Sequence, residues 1–324
     1  MRFVIVGAGA VGGVVGGFLA RSGAEVAFVA RGEHLARIQA DGLRVGTRDG
    51  GFVASSAVAV GSPAELDPPL GAGDVVLLAV KTQDTRSALD DLVAGGADRS
   101  TPIACLQNGV DNEPMVAEQF DRVYGVTVMA PTAYLEPGKV EAKSGPIPAI
   151  LDIGRYPNGV DEVAEEIAAA FVTAGMVSEA RPDIMRWKWS KLLLNLGNAV
   201  QVVCGASNPA SAGLAIAAIV EGREVLEAAG IDVASAEEER ERRGDILQTE
   251  PGTGVGGSTW QSVQRGSGSI ETDHLTGTIV RLGREQGVPT PVNSMLLELA
   301  HEVASAGNGP GAMDPDELLA RARS

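Results

Sequence analysis

Histidine and cysteine are scarce in this 324-residue chain, with three of the first (His34, His274, His301) and two of the second (Cys105, Cys204). Two thiols allow at most one disulfide and cannot make a four-thiolate zinc site, so a reducing compartment suffices. So few histidines restrict metal chemistry further, and no metal site is expected. Positive charge is also short, with 26 Lys and Arg against 42 Asp and Glu and a formal net charge of −16. An acidic surface of that size repels phosphate backbones and anionic lipid, which argues against nucleic-acid and membrane-surface partners. Nor is there a strong apolar run of membrane-spanning length. Residues 3–20 carry no charge but contain six glycines (Gly7, Gly9, Gly12, Gly13, Gly16, Gly17). A signal core is a short block of strong apolar residues, and a span wants about 20 of them. A soluble cytoplasmic protein is expected.

Glycine is what the chain has in excess, 42 residues, yet 44% of all residues are apolar. The surplus therefore belongs to turns and close backbone approaches rather than to disorder. The length suits two domains of about 150 residues each. In the first half, short apolar runs at residues 3–6, 26–30, 75–80, 103–106 and 123–129 alternate with helical patterns at 11–22 and 82–92. Such alternation marks βαβ units and a parallel sheet. Residues 43–60, around Asp49-Gly50-Gly51, and 140–153, around Gly145-Pro146, read as hairpins or extra strands. From Asp161 onward the apolar spacing becomes three and four, which gives helices at 161–174, 183–203, 211–229, 234–247, 270–286, 291–306 and 314–323. Pro182 is the expected boundary between an α/β domain (1–180) and an all-helical one (181–324), and the stretch 247–258 reads as a loop.

Gly7-Ala8-Gly9-Ala10-Val11-Gly12 follows the first strand and opens the first helix. In that context a tight turn, backbone approach to a pyrophosphate and close helix packing each require a missing side chain, so a dinucleotide is expected at the helix N-terminus. The second strand ends beside Arg31, where an enzyme using NAD would usually place an acidic residue on the ribose. A guanidinium suits a 2′-phosphate and favours NADPH over NADH; the plain alternative is a surface arginine between Glu25 and Glu33. Lys81 and Asn108 stand at the carboxyl ends of the third and fourth strands, where ligands bind in this architecture, although both also suit simple turns.

In the helical half, Lys191, Asn195 and Asn198 stand at i, i+4 and i+7, one face of a continuous helix, with Leu192, Leu193, Leu194 and Leu196 around the rest. One amine and two amides are costly to bury without a partner, and a carbonyl substrate bearing hydroxyl and carboxylate groups would supply one. The alternative is a snorkelling lysine and amides bridging neighbouring helices. Arg186, Lys188 and Lys191 form a basic cluster that would attract a small anionic substrate. Residues 258–277 read as a short helix, a glycine turn and a new helix with Glu271 in its first turn, a place the helix dipole alone would favour.

Taken together, the glycine loop, Arg31-Gly32-Glu33-His34-Leu35, Val80-Lys81, Gln107-Asn108-Gly109, Trp189-Ser190-Lys191-Leu192 with Asn195, and Ser258-Thr259 twelve residues before Glu271 resemble the ketopantoate reductase (2-dehydropantoate 2-reductase) family over nearly the whole chain. The resemblance implies an N-terminal NADP-binding Rossmann domain, a helical C-terminal domain and an active site in the cleft between. It implies NADPH-dependent reduction of 2-dehydropantoate to (R)-pantoate in pantothenate biosynthesis, with Lys191 as general acid, Glu271 beside nicotinamide and substrate, and Asn108, Asn195 and Thr259 as substrate ligands. Thr259 stands where the family has serine, and Ala199 where it has a second helix asparagine. Asn198 and Asn208 each lie one residue short of a family asparagine, so a single deletion would make both substrate ligands. The glycine-rich stretch 251–257 is a further departure.

Other classes compete poorly. A short-chain dehydrogenase needs Tyr-x-x-x-Lys, but the residues four after Tyr124, Tyr134 and Tyr156 are Val128, Gly138 and Val160. A zinc alcohol dehydrogenase lacks its cysteines, and a lactate-type enzyme would have to rely on His274. What stays open is a different 2-keto acid or imine on the same scaffold, or an NADPH-binding sensor without turnover; a homodimer is compatible with the sequence.

Overall fold

The five apolar runs of the first half are strands, and they pair side by side. The computed structural model describes residues 1–54, 57–206, 208–249, 256–266 and 271–323. In chain order the first half contains β1 (Arg2–Val6), α1 (Ala10–Arg21), β2 (Glu25–Val29), α2 (Gly32–Asp41), β3 (Leu43–Gly46), β4 (Phe52–Ala54), β5 (Val58–Val60), β6 (Asp74–Leu78), α3 (Thr85–Ala94), β7 (Ile103–Cys105), α4 (Asn112–Ala117), β8 (Val123–Met129), β9 (Thr132–Glu136), β10 (Lys139–Ala142), β11 (Ile150–Arg155) and α5 (Glu162–Thr173). Helices follow: α6 (Ile184–Asn195), α7 (Gly197–Cys204), α8 (Ala212–Ala228), α9 (Ala236–Arg243), α10 (Ser258–Gln264), α11 (Thr276–Gln286), α12 (Pro291–Ala306) and α13 (Pro315–Arg323).

The chain divides into two compact units, Met1–Lys188 with Ala236–Glu250, and Trp189–Ser235 with Pro251–Ser324. The division falls inside α6 rather than at Pro182, and α9 returns to the first unit. Ion pairs account for that return: Arg242 of α9 meets Asp152 of β11, and Arg186 bonds both oxygens of Glu238 at 2.8 Å.

In the first unit the strand order is β11-β8-β7-β6-β1-β2-β5, parallel throughout except for β11. β1 sits between β2 and β6 with Ile5 level with Phe28 and Leu77, so β2, β1 and β6 end together. Both faces are covered, as a parallel sheet requires. One face carries α1 and α5, packed through Val14, Phe18, Ile167 and Phe171; the other carries α3 and α4, packed through Leu89, Leu92 and Val116. A second sheet, ordered β4-β3-β10-β9, pairs β3 with β4 antiparallel and β3 with β10 in parallel, so of the expected stretches 43–60 and 140–153 the first parts meet each other, while their last strands, β5 and β11, join the two edges of the main sheet.

Helix α1 explains much of the glycine surplus. A Cβ on Gly16 would lie 2.5 Å from Phe28 Cε1 and 2.9 Å from Ile5 Cγ1, on the main sheet. A Cβ on Gly13 or Gly17 would lie 3.0 Å from Val140 or 2.6 Å from Val45, on the second sheet. The helix is bare on two faces because two sheets press against it.

The second unit is helical. Gly222 of α8 lets α6 approach closely, since a Cβ there would meet Leu193 at 2.7 Å and Leu196 at 2.9 Å. The buried carboxylate of Glu221 accepts from the Val292 and Asn293 amides at 2.8 and 2.9 Å, closing the N-terminus of α12. The helix expected over 183–203 is interrupted at Leu196, which separates α6 from α7. Among the described residues no helix is long and apolar enough to cross a membrane.

Candidate active site

Four predicted cofactor positions follow the carboxyl ends of four adjacent strands: the glycine loop after β1, Arg31 after β2, Lys81 after β6 and Asn108 after β7. Each glycine of the loop does a separate job. Gly7 takes a φ of +102°, and a Cβ there would lie 2.8 Å from Val80 N, so it turns the chain hard against the end of β6. Gly12 seats α1 on the sheet, its missing Cβ meeting the Gly7 carbonyl and, at 2.8 Å, Ala79 Cβ. At Gly9 a Cβ would meet nothing within 4 Å among the described residues. That residue caps α1 with no side chain, and the first helical turn has no acidic residue. The first amides of α1 thus stand at the positive end of the helix with no side-chain cap, a cradle that fits a pyrophosphate.

The loop is fixed from outside by His34, which the sequence offered only as one member of a longer motif. Its Nε2 lies 2.7 Å from the Ala8 carbonyl, and its Nδ1 accepts from the Gly138 amide at 2.8 Å. Since an amide can only donate, the ring is the neutral tautomer carrying its proton on Nε2. Burial lowers its pKa from the ordinary 6.5, against the raising effect of Ala8.

Arg31 is exposed, and its guanidinium pairs with Asp91 of α3 at 2.7 Å. Lys81 is half-buried ahead of a 3-10 turn, Thr82–Asp84. Asn108, also half-buried, stands in a loop whose backbone is bonded on both sides: the Gln107 carbonyl accepts from Lys188 Nζ at 3.0 Å, and the Asn108 carbonyl from Asn112 Nδ2 at 3.2 Å.

The expected basic cluster is not a positive field. Arg186 is bound to Glu238, and Lys188 is only 3% exposed and ion-paired at 2.6 Å with Glu113, which is 0% exposed. Burial pushes the Glu113 carboxyl above the usual carboxylate range, while the Lys188 ammonium pulls it down. Two of the three charges are neutralised by carboxylates that the local sequence does not announce.

In the second unit Lys191 is half-buried on α6. Asn195, one turn on, is 5% exposed, and its Nδ2 has no hydrogen-bond partner among the described residues. Thr259 of α10 is 2% exposed, with its hydroxyl likewise unpartnered. Buried polar atoms are seldom left so. Asn198 lies on α7, where its amide sits against Gly257; a Cβ on that glycine would be 3.0 Å from Asn198 Cγ. The backbone of Leu196 itself keeps right-handed helical dihedrals, φ −59° and ψ −29°. Asn208 caps a short 3-10 turn: its Oδ1 accepts from the Ala210 amide at 3.1 Å and its Nδ2 donates to the Cys204 carbonyl at 3.5 Å. Glu271 lies in a 3-10 turn, Glu271–His274, ahead of α11, not in that helix's first turn. Residues 250–255 and 267–270, which include most of the glycine-rich stretch, lie outside the described residues. Among the described residues no His, Cys, Asp or Glu cluster could hold a metal ion.

A parallel sheet with a glycine loop at the carboxyl end of β1, followed by a helical unit, is an architecture used by pyridine-nucleotide oxidoreductases. The ketopantoate reductase PanE/ApbA profile matches residues 3–158, and the ketopantoate reductase PanE/ApbA C-terminal profile matches residues 183–304. The chain is 33% identical to the 2-dehydropantoate 2-reductase of Halobacterium salinarum, covering 92% of this chain and 97% of that one. It is 29% identical to the 2-dehydropantoate 2-reductase of Pyrococcus horikoshii, covering 95% and 99%. The crystal structure of a PanE/ApbA family ketopantoate reductase from Ralstonia eutropha JMP134 is 30% identical, with a TM-score of 0.78 over 95% of this chain and 99% of that one. D-mandelate dehydrogenase, solved with NADH and anilino(oxo)acetate, shares the fold at 21% identity, with a TM-score of 0.80 over 95% and 100%. The chain belongs to the ketopantoate reductase family and is an oxidoreductase acting on a CH–OH group.

Proposed function

We propose that the protein reduces 2-dehydropantoate to (R)-pantoate with NADPH, and that Lys191 is the general acid. The observation that carries this reading is the pair of unpartnered buried polar atoms, Asn195 Nδ2 and Thr259 Oγ1, in the same unit as Lys191. A substrate with a keto oxygen, a hydroxyl and a carboxylate offers acceptors to both, and a hydrocarbon substrate offers none.

The nicotinamide, when bound, supplies a hydride to the carbonyl carbon. The Lys191 ammonium donates a hydrogen bond to the carbonyl oxygen, stabilises the charge that develops there and gives up its proton to it. Asn195 and Thr259 hold the substrate's polar groups so that the carbonyl stays in register with the lysine. Glu271 and Asn108 are assigned beside the reacting groups, and Asn198 and Asn208 are further substrate candidates, with the Asn208 amide already engaged as a cap. The residues placed for NADPH are the backbone of Gly7, Ala8, Gly9, Ala10, Val11 and Gly12 for the pyrophosphate, Arg31 for the 2′-phosphate, and Lys81 with Asn108 on the nicotinamide side. Arg31 would exchange an exposed Asp91 carboxylate for that phosphate, a cheap substitution, because exposed pairs contribute about 1 kcal/mol or less. The two cysteines, unlinked and buried, suit a reducing cytoplasm.

The test is loss of NADPH absorbance with 2-dehydropantoate, run beside NADH and a panel of simple 2-keto acids. Rapid turnover confined to 2-dehydropantoate and NADPH is expected. Tight NADPH binding with no turnover would remove that substrate and leave a different keto acid, an imine or a sensor.

A further inference from the structure

Lys188, Glu113, Asn112, Thr85 and Gln107 are buried in the first unit and bonded into one web. Lys188 Nζ lies 2.6 Å from Glu113 Oε1 and donates to the Gln107 carbonyl at 3.0 Å. The Gln107 amide donates to the Val80 carbonyl at 2.8 Å and to Thr85 Oγ1 at 2.9 Å. Thr85 donates to Asn112 Oδ1 at 2.8 Å, and Asn112 Nδ2 reaches the Asn108 carbonyl at 3.2 Å and Thr82 Oγ1 at 3.3 Å.

Two peptide carbonyls bracket the Asn108 side chain, and this web holds both. It also ties the loop after β7 to the loop after β6, where Lys81 stands. A buried ion pair is a poor stabiliser, since apolar residues of the same volume do as well or better. What such residues cannot do is donate to the Gln107 carbonyl. We propose that Lys188, held by Glu113, is a positioning residue for Asn108: it fixes the loop from which Asn108 meets the nicotinamide side of NADPH. This rests on the assignment of Asn108 made above.

The experiment compares Lys188→Met/Glu113→Met, Asn108→Ala and the triple combination in the full-length protein. It measures the thermal midpoint, the NADPH Kd and kcat/KM. With the pair replaced by apolar residues, the midpoint is expected within a few degrees of the parent, while NADPH binds about tenfold more weakly and kcat/KM falls by about a hundredfold, as loosened positioning produces. Adding Asn108→Ala to that background is expected to lower kcat/KM little further, because the asparagine has already lost its place. A merely structural role would leave the two effects additive. Parental kinetics in the pair variant, with Asn108→Ala impaired, overturn the proposal alone. Parental kinetics in Asn108→Ala itself overturn the Asn108 assignment and the proposal with it. Should the pair variant not fold, Lys188→Met/Glu113→Gln withdraws the same donor from the Gln107 carbonyl and keeps a polar side chain at position 113. The same losses are expected there, and parental kinetics in it overturn the proposal.

Discussion

In the first unit, the loop between β1 and α1 offers backbone amides and room: among the described residues nothing lies within 4 Å of where a Gly9 Cβ would be. In the second, α6 and α10 offer side chains, with Asn195 and Thr259 buried and unpartnered. A site made from absent side chains is broken by adding atoms. A site made from present ones is broken by removing atoms, and its unmet hydrogen bonds weaken the fold until a ligand completes them. The two regions should therefore answer mutation differently in stability, which added atoms lower in the first and removed atoms hold or raise in the second, while both kinds of change weaken binding.

The largest expected effect is at Gly12. Gly12→Ala forces a methyl group into the Gly7 carbonyl and Ala79, and is expected to destabilise the first unit by about 3 kcal/mol, as overpacking does; thermal or denaturant unfolding reads it. Gly9→Ala should leave the midpoint unchanged but weaken NADPH by about a hundredfold in a fluorescence titration, since its methyl group occupies the space the pyrophosphate needs. Equal loss of stability in both variants would erase the distinction between packing glycine and binding glycine.

Arg31→Ala is expected to weaken NADPH by about tenfold, the worth of one charge-assisted contact, and to leave NADH untouched. Competition titrations of both nucleotides would show it. Thr259→Val tests the other side. Removing a buried unpartnered hydroxyl is expected to hold or raise the thermal midpoint, while KM for the keto acid rises by about tenfold. A lower midpoint with unchanged KM would mean that the hydroxyl belongs to the fold and not to the substrate.

The smallest effect concerns pH. His34 has a pKa lowered by burial, so its neutral ring stabilises the fold above its ordinary 6.5, and that contribution is lost as pH falls through the folded-state value. The midpoint of the parent should drop between about pH 7 and pH 5 more than that of His34→Gln, which cannot titrate in this range. Parallel pH profiles would show that the ring does not carry the difference.

The same contrast explains what could be read from the residues alone. The glycine loop was legible because its three jobs are local and forbid side chains. The main strands were legible because strands buried on both faces are uniformly apolar. Helix α2 was not, since only Ile38 of its ten residues is buried and a 3.6-residue stripe hardly shows. The pairing of β3 with β10 joins segments far apart in sequence, and nothing local specifies a partner. Lys188 was misread as part of a positive patch for the same reason. A lysine between two tryptophans looks exposed until Glu113, on a distant helix, is brought against it. The interruption at Leu196 was easy to pass over, because its neighbours keep helical spacing on both sides and only Gly197, a weak helix former, marks it.

The most direct measurement of the central claim is Lys191→Ala, assayed for both NADPH Kd and turnover with 2-dehydropantoate. If the glycine cradle binds and α6 performs the chemistry, the Kd stays at the parental value while kcat falls by about a hundredfold or more, as loss of a general acid produces. Parental kcat in that variant would contradict the account.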